Sequence, residues 1–283
     1  MRELYNARDR LCNSGPPFVI AECTGCGVLR TLPEMPDEEL SSFYPDGYWG
    51  QASQPSEEWI RSSQADKLDF LRTCSIDGGR ILDVGCGSGW FLRTLDKTAW
   101  DRFGVETGPE ACRVAAEALG DDHVWKGDLI QAALPDSYFD VVTLWSALEH
   151  MNQPRSNLQE ARRIIKPGGT LIVQVPNAVS YQAKLFKRNW FALDVPRHRY
   201  HFSPEKLAQI LKEAGFEPYH RTTFSRAHNA HALRQSLKLS LGAVSSWPGY
   251  IAFCLAIPLI RPTDWLMTLI GGGATLTVAA RAV

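Results

Sequence analysis

The chain of 283 residues carries 30 Lys and Arg against 31 Asp and Glu, a formal charge of −1, and is 45% hydrophobic and 22% charged. These proportions are those of a folded globular protein of one domain with additions, or two small ones. They exclude wholesale disorder, a Gly-X-Y or heptad fibre, and a protein that grips nucleic acid by bulk charge, so no nucleic-acid partner is expected.

In chain order, the opening MRELYNARDR is charged, lacks an apolar core and does not read as a secretory signal. Residues 1–55 read as an irregular N-terminal module. Prolines stand at 16, 17, 33, 36, 45 and 55, and Phe43-Tyr44-Pro45-Asp46-Gly47-Tyr48-Trp49 is an aromatic cluster. Cys23-Thr24-Gly25-Cys26 has the spacing of half a zinc knuckle. Cys12 is the one further cysteine near it, a full set of four ligands is not at hand, and no metal is expected. The 7 cysteines are an odd number scattered along the chain, which predicts a reducing, cytoplasmic location.

Residues 56–225 read as the core domain. A helical pattern spans Glu57 to Arg72, with Trp59, Ile60, Leu68 and Leu71 as apolar positions. Short apolar strands then alternate with helices. The strands are Arg80–Val84, Arg102–Glu106, His123–Lys126, Asp140–Trp145 and Thr170–Val175, and the helices Gly89–Leu95, Pro109–Leu119 and Pro154–Ile165. Continuous apolar strands joined by helical crossovers predict a doubly wound, Rossmann-like α/β fold with a mostly parallel, seven-stranded sheet. Ser203-Pro204 starts a helix that stops at Gly215, and Phe216–Phe224 and Ala274–Arg281 are further strands. Residues 226–283 read as an apolar helical addition with the last strand. Its uncharged run Leu239–Ile260, bracketed by Lys238 and Arg261, is long enough for a bilayer but holds Ser240, Ser245, Ser246, Pro248-Gly249 and Pro258. It predicts a buried or interfacial helix, with a membrane span or lipid-facing anchor as the alternative.

The most informative stretch is Asp83-Val84-Gly85-Cys86-Gly87-Ser88-Gly89, a tight glycine turn between a strand and a helix. Ligands of open parallel sheets bind beyond the carboxyl ends of strands, where this turn sits. A dinucleotide fingerprint spaces its glycines G-x-G-x-x-G, one residue longer than here. Asp83, two residues before the first glycine, repels a pyrophosphate and suits a cationic ligand. Glu106 ends the second strand, where an acid accepts hydrogen bonds from ribose hydroxyls. Asp128 follows the third strand in Lys126-Gly127-Asp128-Leu129.

Together these residues resemble the cofactor site of class I S-adenosylmethionine-dependent methyltransferases. The likeness continues in Ser137-Tyr138-Phe139-Asp140-Val141-Val142, Leu148-Glu149-His150, Lys166-Pro167-Gly168-Gly169 and Ala214-Gly215-Phe216. The resemblance implies S-adenosylmethionine as cofactor. Asp83, Gly85, Cys86 and Gly87 would line its methionine and ribose portion, Glu106 would hold the ribose, Asp128 and Leu129 would flank the adenine, and Trp145 or Ser146 would face the sulfonium. Leu148-Glu149-His150 is similar to the segment of ubiquinone-type O-methyltransferases, although Ser146 stands where some of those carry another glutamate. Sugar C-methyltransferases resemble the N-terminal module, whose knuckle is here degenerate. Candidate catalytic bases are His150, Glu149 and His198, the last within a Pro-Arg-His segment that is expected to close over the acceptor. The acceptor class is a small molecule, a saccharide or a lipid-linked precursor, with peripheral membrane contact through 239–260. A nicotinamide-dependent oxidoreductase and an inactive nucleoside-binding module are the alternatives.

Overall fold

The structure is a computed structural model that describes residues 1–11, 15–45, 55–242 and 246–283. Its strands are β1 (Arg2–Ala7), β2 (Phe18–Glu22), β3 (Leu29–Leu32), β4 (Gly79–Val84), β5 (Trp100–Glu106), β6 (Val124–Lys126), β7 (Phe139–Trp145), β8 (Ile165–Pro176), β9 (Tyr200–His201), β10 (Phe216–Thr222) and β11 (Thr275–Ala282). The chain packs into two units. The first takes in Met1–Pro45, Val175–Leu207 and Thr222–Thr277; the second takes in Asp46–Gln174, Ala208–Arg221 and Val278–Val283. The division differs from the contiguous one expected at 55 and 225, because the N-terminal strands share a core with segments far downstream.

The second unit is built on the seven-stranded sheet, in the order β10-β11-β8-β7-β4-β5-β6. Strands β6, β5, β4, β7 and β8 run parallel. Their apolar residues, such as Ile81, Leu82, Val142, Leu144, Ile172 and Val173, are fully buried, as a sheet covered on both faces requires. From β4 the chain winds outward through β5 and β6, then returns to place β7 on the other side of β4. That reversal is the switch point at which such sheets open a crevice. Helices Pro109–Leu119 and Pro154–Ile164 each start on a proline whose fixed φ suits a first turn.

Two local expectations change. The helix expected over Glu57–Arg72 is two helices, Glu57–Ser63 and Ala65–Thr73, broken at Gln64 with φ −96° and ψ 2°. Strand β8 starts at Ile165, so Pro167-Gly168-Gly169 lies inside it, where the pairing with β7 shifts register. A Cβ on Gly169 would stand 2.9 Å from the Asp140 carbonyl oxygen, so only glycine lets the backbones approach there.

The first unit corrects the reading of residues 1–55 as irregular. Strands β1, β2, β3 and β9 form an antiparallel four-stranded sheet in that order. These strands are short and β1 is mostly exposed, so they carry little alternating apolar signal. Phe18, Ile20 and Phe43 pack in one core with Trp190, Leu193, Leu233, Leu237 and Phe253. Cys12 and Asp46-Gly47-Tyr48-Trp49 lie outside the described residues. The run Leu239–Ile260 falls on two helices, Arg226–Leu241 and Trp247–Leu269. Pro248 does not break the second, because the first turn has no intrahelical N–H bond to lose.

The segment Asp194–Phe202 is a buried seam in this unit. Arg197 is fully buried, and its guanidinium donates to Asp9 Oδ1 at 2.8 Å, Asp194 Oδ1 at 2.6 Å and the Phe43 carbonyl at 2.7 Å. Removing one partner from such a group strands the others. Arg197→Met is expected to destabilise the protein by about 3–5 kcal/mol, read as a lower urea midpoint, while leaving cofactor affinity within about twofold.

Candidate active site

Strand β4 delivers Asp83 and Val84 to the crevice and the chain then turns on three glycines. Gly85, Gly87 and Gly89 have φ of +74°, +55° and +73°, the left-handed region that side chains with a Cβ avoid. The turn is fixed by Gly85 N–H and Cys86 N–H, which both donate to the Val105 carbonyl, and by Gly89 N–H on the Cys86 carbonyl. Gly85 also faces Ala147, whose Cβ would be 3.1 Å from a Cβ at position 85. At Gly87 a Cβ would meet nothing within 4 Å, so bare backbone borders open space.

The turn borders a cavity of about 260 Å³. Of the residues anticipated from sequence, the cavity brings together Asp83, Gly85, Cys86, Gly87 and Trp145. Gln64, Lys67, Ser88, Trp90 and Phe91 complete it and were not anticipated. The helices before β4 supply the first two, and their signal was present. Ile60, Gln64, Lys67 and Leu71 follow a 4-3-4 spacing along one helical stripe, so two polar residues fall where apolar ones belong.

Asp83 and Lys67 carry the electrostatics. Asp83 is buried opposite Thr143 in the β4–β7 register, and Thr143 Oγ1 donates to its Oδ1 at 2.7 Å. Burial raises the Asp83 carboxyl to about 6, against the pull of Lys67 and Thr143. Burial likewise lowers the Lys67 ammonium to about 8, against the pull of Asp83. The Lys67 Nζ lies 5.4 Å from the Trp145 ring centroid and 5.5 Å from that of Phe91, and those two rings meet edge to face at 5.3 Å. The Cys86 thiol is pushed well up by burial and by the neighbouring Asp83 and Glu106 carboxylates, so it stays neutral. A negative group, a positive group and an aromatic wall in one cavity suit a zwitterion that carries a second cation.

Glu106, Asp128 and Leu129 are not among the residues lining this cavity. The Glu106 carboxylate is buried behind the turn, accepting from Gly87 N–H at 2.8 Å and Gly108 N–H at 2.7 Å. Asp128 Oδ1 accepts from Gln131 N–H at 2.7 Å, and Leu129 is buried. Of the positions that the resemblance implies for the cofactor, the cavity therefore takes in those at the ends of β4 and β7.

Glu149 and His150 lie in the turn after β7, where His150 N–H donates to the Ala147 carbonyl at 3.1 Å. Glu149 is fully buried and His150 half-buried. His198 belongs to the first unit, where its Nδ1 lies 2.9 Å from the Ala192 carbonyl. Burial lowers the imidazoles of His198 and His201 to about 4, so both are neutral at pH 7. His201 Nε2 meets Thr31 Oγ1 at 3.0 Å, and that hydroxyl donates to the His198 carbonyl at 2.6 Å. In the same unit Cys23 and Cys26 close the loop from β2 to β3. Backbone N–H groups of Cys26 and Gly25 draw the Cys23 thiol down to about 7.

Three comparisons bear on this geometry. The family model described as a methyltransferase domain matches residues 56–221. The ubiquinone biosynthesis O-methyltransferase of Ralstonia nicotianae is 28% identical over 165 residues, 54% of this chain and 69% of that one. A probable S-adenosylmethionine-dependent methyltransferase of Mycolicibacterium smegmatis is 25% identical over 189 residues, covering 64% and 69% of the two chains. The crystal structure of a SAM-dependent methyltransferase from Archaeoglobus fulgidus covers 80% of this chain and 94% of its own, with a TM-score of 0.54 and 20% identity; that likeness is one of fold.

The residues present fit that cofactor. Gln64 Oε1 and Trp145 Nε1 are buried in the cavity lining without a hydrogen-bond partner among the described residues, an acceptor and a donor that a polar ligand satisfies. Titration with S-adenosylmethionine across pH is expected to give a bell. Below about 6 Asp83 takes up its proton and the ligand's ammonium loses its counter-charge; above about 8 Lys67 loses its proton and the ligand's carboxylate loses its own. Calorimetry should find the tightest binding between these limits, with Asp83→Asn removing the acid limb. Gly85→Val, which forces a branched side chain into the left-handed region against Ala147, is expected to weaken binding at least about a hundredfold.

Proposed function

The chain belongs to the methyltransferase-domain family and is an S-adenosylmethionine-dependent enzyme, and from that premise we propose that it methylates a hydroxyl oxygen of a small, apolar or lipid-linked acceptor. The observation that carries this reading is the buried Glu149-His150 turn at the carboxyl end of β7, a few residues past Trp145 of the cofactor cavity. Ubiquinone biosynthesis O-methyltransferases among the relatives support transfer to oxygen.

S-adenosylmethionine, when bound, supplies a methyl group that its sulfonium makes electrophilic. Asp83 and Lys67 hold the ammonium and carboxylate of the methionine portion, and Glu106 is the acid for the ribose. Trp145 and Phe91 wall the methyl-bearing end and keep water out, so that the acceptor is the nucleophile that reaches it. A hydroxyl is a poor nucleophile until its proton leaves. His150 takes that proton as the oxygen becomes methylated, and Glu149 beside it stabilises the imidazolium that forms. His198 is a weaker base for this task, since burial holds it near 4.

The test is transfer of labelled methyl to a panel of phenols with and without isoprenoid tails, alongside amine and saccharide acceptors. Label on the phenolic oxygen is expected. His150→Ala should lower kcat by about 10²–10⁴ with cofactor affinity unchanged. Label on nitrogen or carbon alone, or full turnover in both His150→Ala and Glu149→Gln, would overturn the assignment.

A further inference from the structure

The helix Trp247–Leu269 is long and apolar enough to cross a membrane, yet it is neither a core helix nor free to cross one. Only one stripe of it, Gly249, Phe253, Asp264 and Thr268, is buried. That stripe is tied to its own unit. Gln182 Nε2 donates to Asp264 Oδ1 at 2.8 Å, and a Cβ on Gly249 would fall 2.3 Å from the Leu241 carbonyl oxygen. The opposite side is apolar and open to solvent, with Trp247 73%, Leu255 69%, Leu259 75% and Ile270 74% exposed. Trp247 and Tyr250 stack at one end, Trp265 stands exposed near the other, and no charged residue occurs from Trp247 to Ile260. An exposed tryptophan and tyrosine at the start of an uncharged apolar stretch suit a segment held at a lipid–water boundary.

Charge identifies the partner. This helix packs with helices Arg226–Leu241 and Tyr181–Phe186, the second leading into the turn Lys187–Asn189. Across the described residues of these four segments, Lys184, Lys187, Arg188, Arg226, Arg234 and Arg261 are exposed, and the one acid, Asp264, is buried. A second copy of the chain would bring exposed cations of the same elements towards one another in a two-fold pair, with no exposed acid among their described residues to meet them. An anionic surface meets both the cations and the apolar face.

We propose that helix Trp247–Leu269 lies in the plane of an anionic lipid bilayer, its Leu255–Leu259 face immersed among the acyl chains and the surrounding cations on the headgroups. The proposal stands apart from the acceptor chemistry, because membrane binding is read without any methyl transfer.

The full chain is floated with vesicles of phosphatidylcholine alone, and of phosphatidylcholine with phosphatidylglycerol. Binding to the anionic vesicles is expected to be at least about tenfold tighter and to weaken with added salt. Brominated acyl chains should quench tryptophan fluorescence. Leu255→Asp/Leu259→Asp should abolish flotation, and Arg234→Glu/Arg261→Glu should remove the anionic preference. Unchanged melting temperature and S-adenosylmethionine affinity would show both variants folded. No flotation of the unaltered chain with either vesicle, equal binding to both, or a concentration-dependent dimer that Leu255→Asp/Leu259→Asp disperses would each overturn the proposal.

Discussion

Two charges of opposite sign, a buried carboxylate at the end of one strand and a half-buried ammonium on the helix that precedes it, set the terms for the catalytic unit. Asp83 and Lys67 are each pushed towards neutrality by burial, and each partly holds the other charged. Neither is a cheap residue to keep in an apolar-walled cavity. The cost is offset when a ligand brings an ammonium to one and a carboxylate to the other, as an amino-acid zwitterion does. The left-handed glycine turn then serves a narrower purpose. It removes side chains from the floor, and through Gly87 N–H it ties the floor to Glu106, the next acid in the sheet.

The two units divide the polar chemistry between them. The second carries Gln64, Lys67 and Asp83 on the lining of a cavity, where Gln64 Oε1 has no hydrogen-bond partner among the described residues. The first carries Arg197, Asp9, Asp194, His198, His201 and Thr31 inside its own packing, where protein groups meet them. The Pro-Arg-His segment looks like an active-site motif because arginine and histidine are common there. Full burial of Arg197 with two carboxylates and a carbonyl gives a plainer account of why that arginine is present.

What the sequence disclosed follows physical lines. Parallel strands buried on both faces leave unbroken apolar runs, so β4, β5, β6 and β7 were legible, as was the glycine turn, whose residues have no substitute in left-handed backbone. The antiparallel strands β1 and β3 were not, because a four- to six-residue strand interspersed with charges leaves no run to see, and the apolar run of β2 is only four residues, Phe18 to Ala21. Lys67 and Gln64 were also missed as cavity residues. A lysine in a helix is ordinarily at the surface, and only its place on the buried stripe sets this one apart. Pro167-Gly168-Gly169 misled in the other direction: glycines that suggest a turn here permit close strand approach. The family resemblance named Asp83, Gly85, Gly87 and Trp145, which line one cavity, but it carries no information on Lys67, which lines it with them.

The first unit also has an awkward assembly history. Phe18 and Ile20 find Leu233, Leu237 and Phe253 in one core, roughly 200 residues further along the chain. At a synthesis rate of about 5–20 residues per second, the early strands emerge from the ribosome some ~10–40 s before those partners exist. The five parallel strands of the second unit are complete by Pro176, while Phe18 and Ile20 still lack these partners, and growth conditions that slow elongation lengthen that wait.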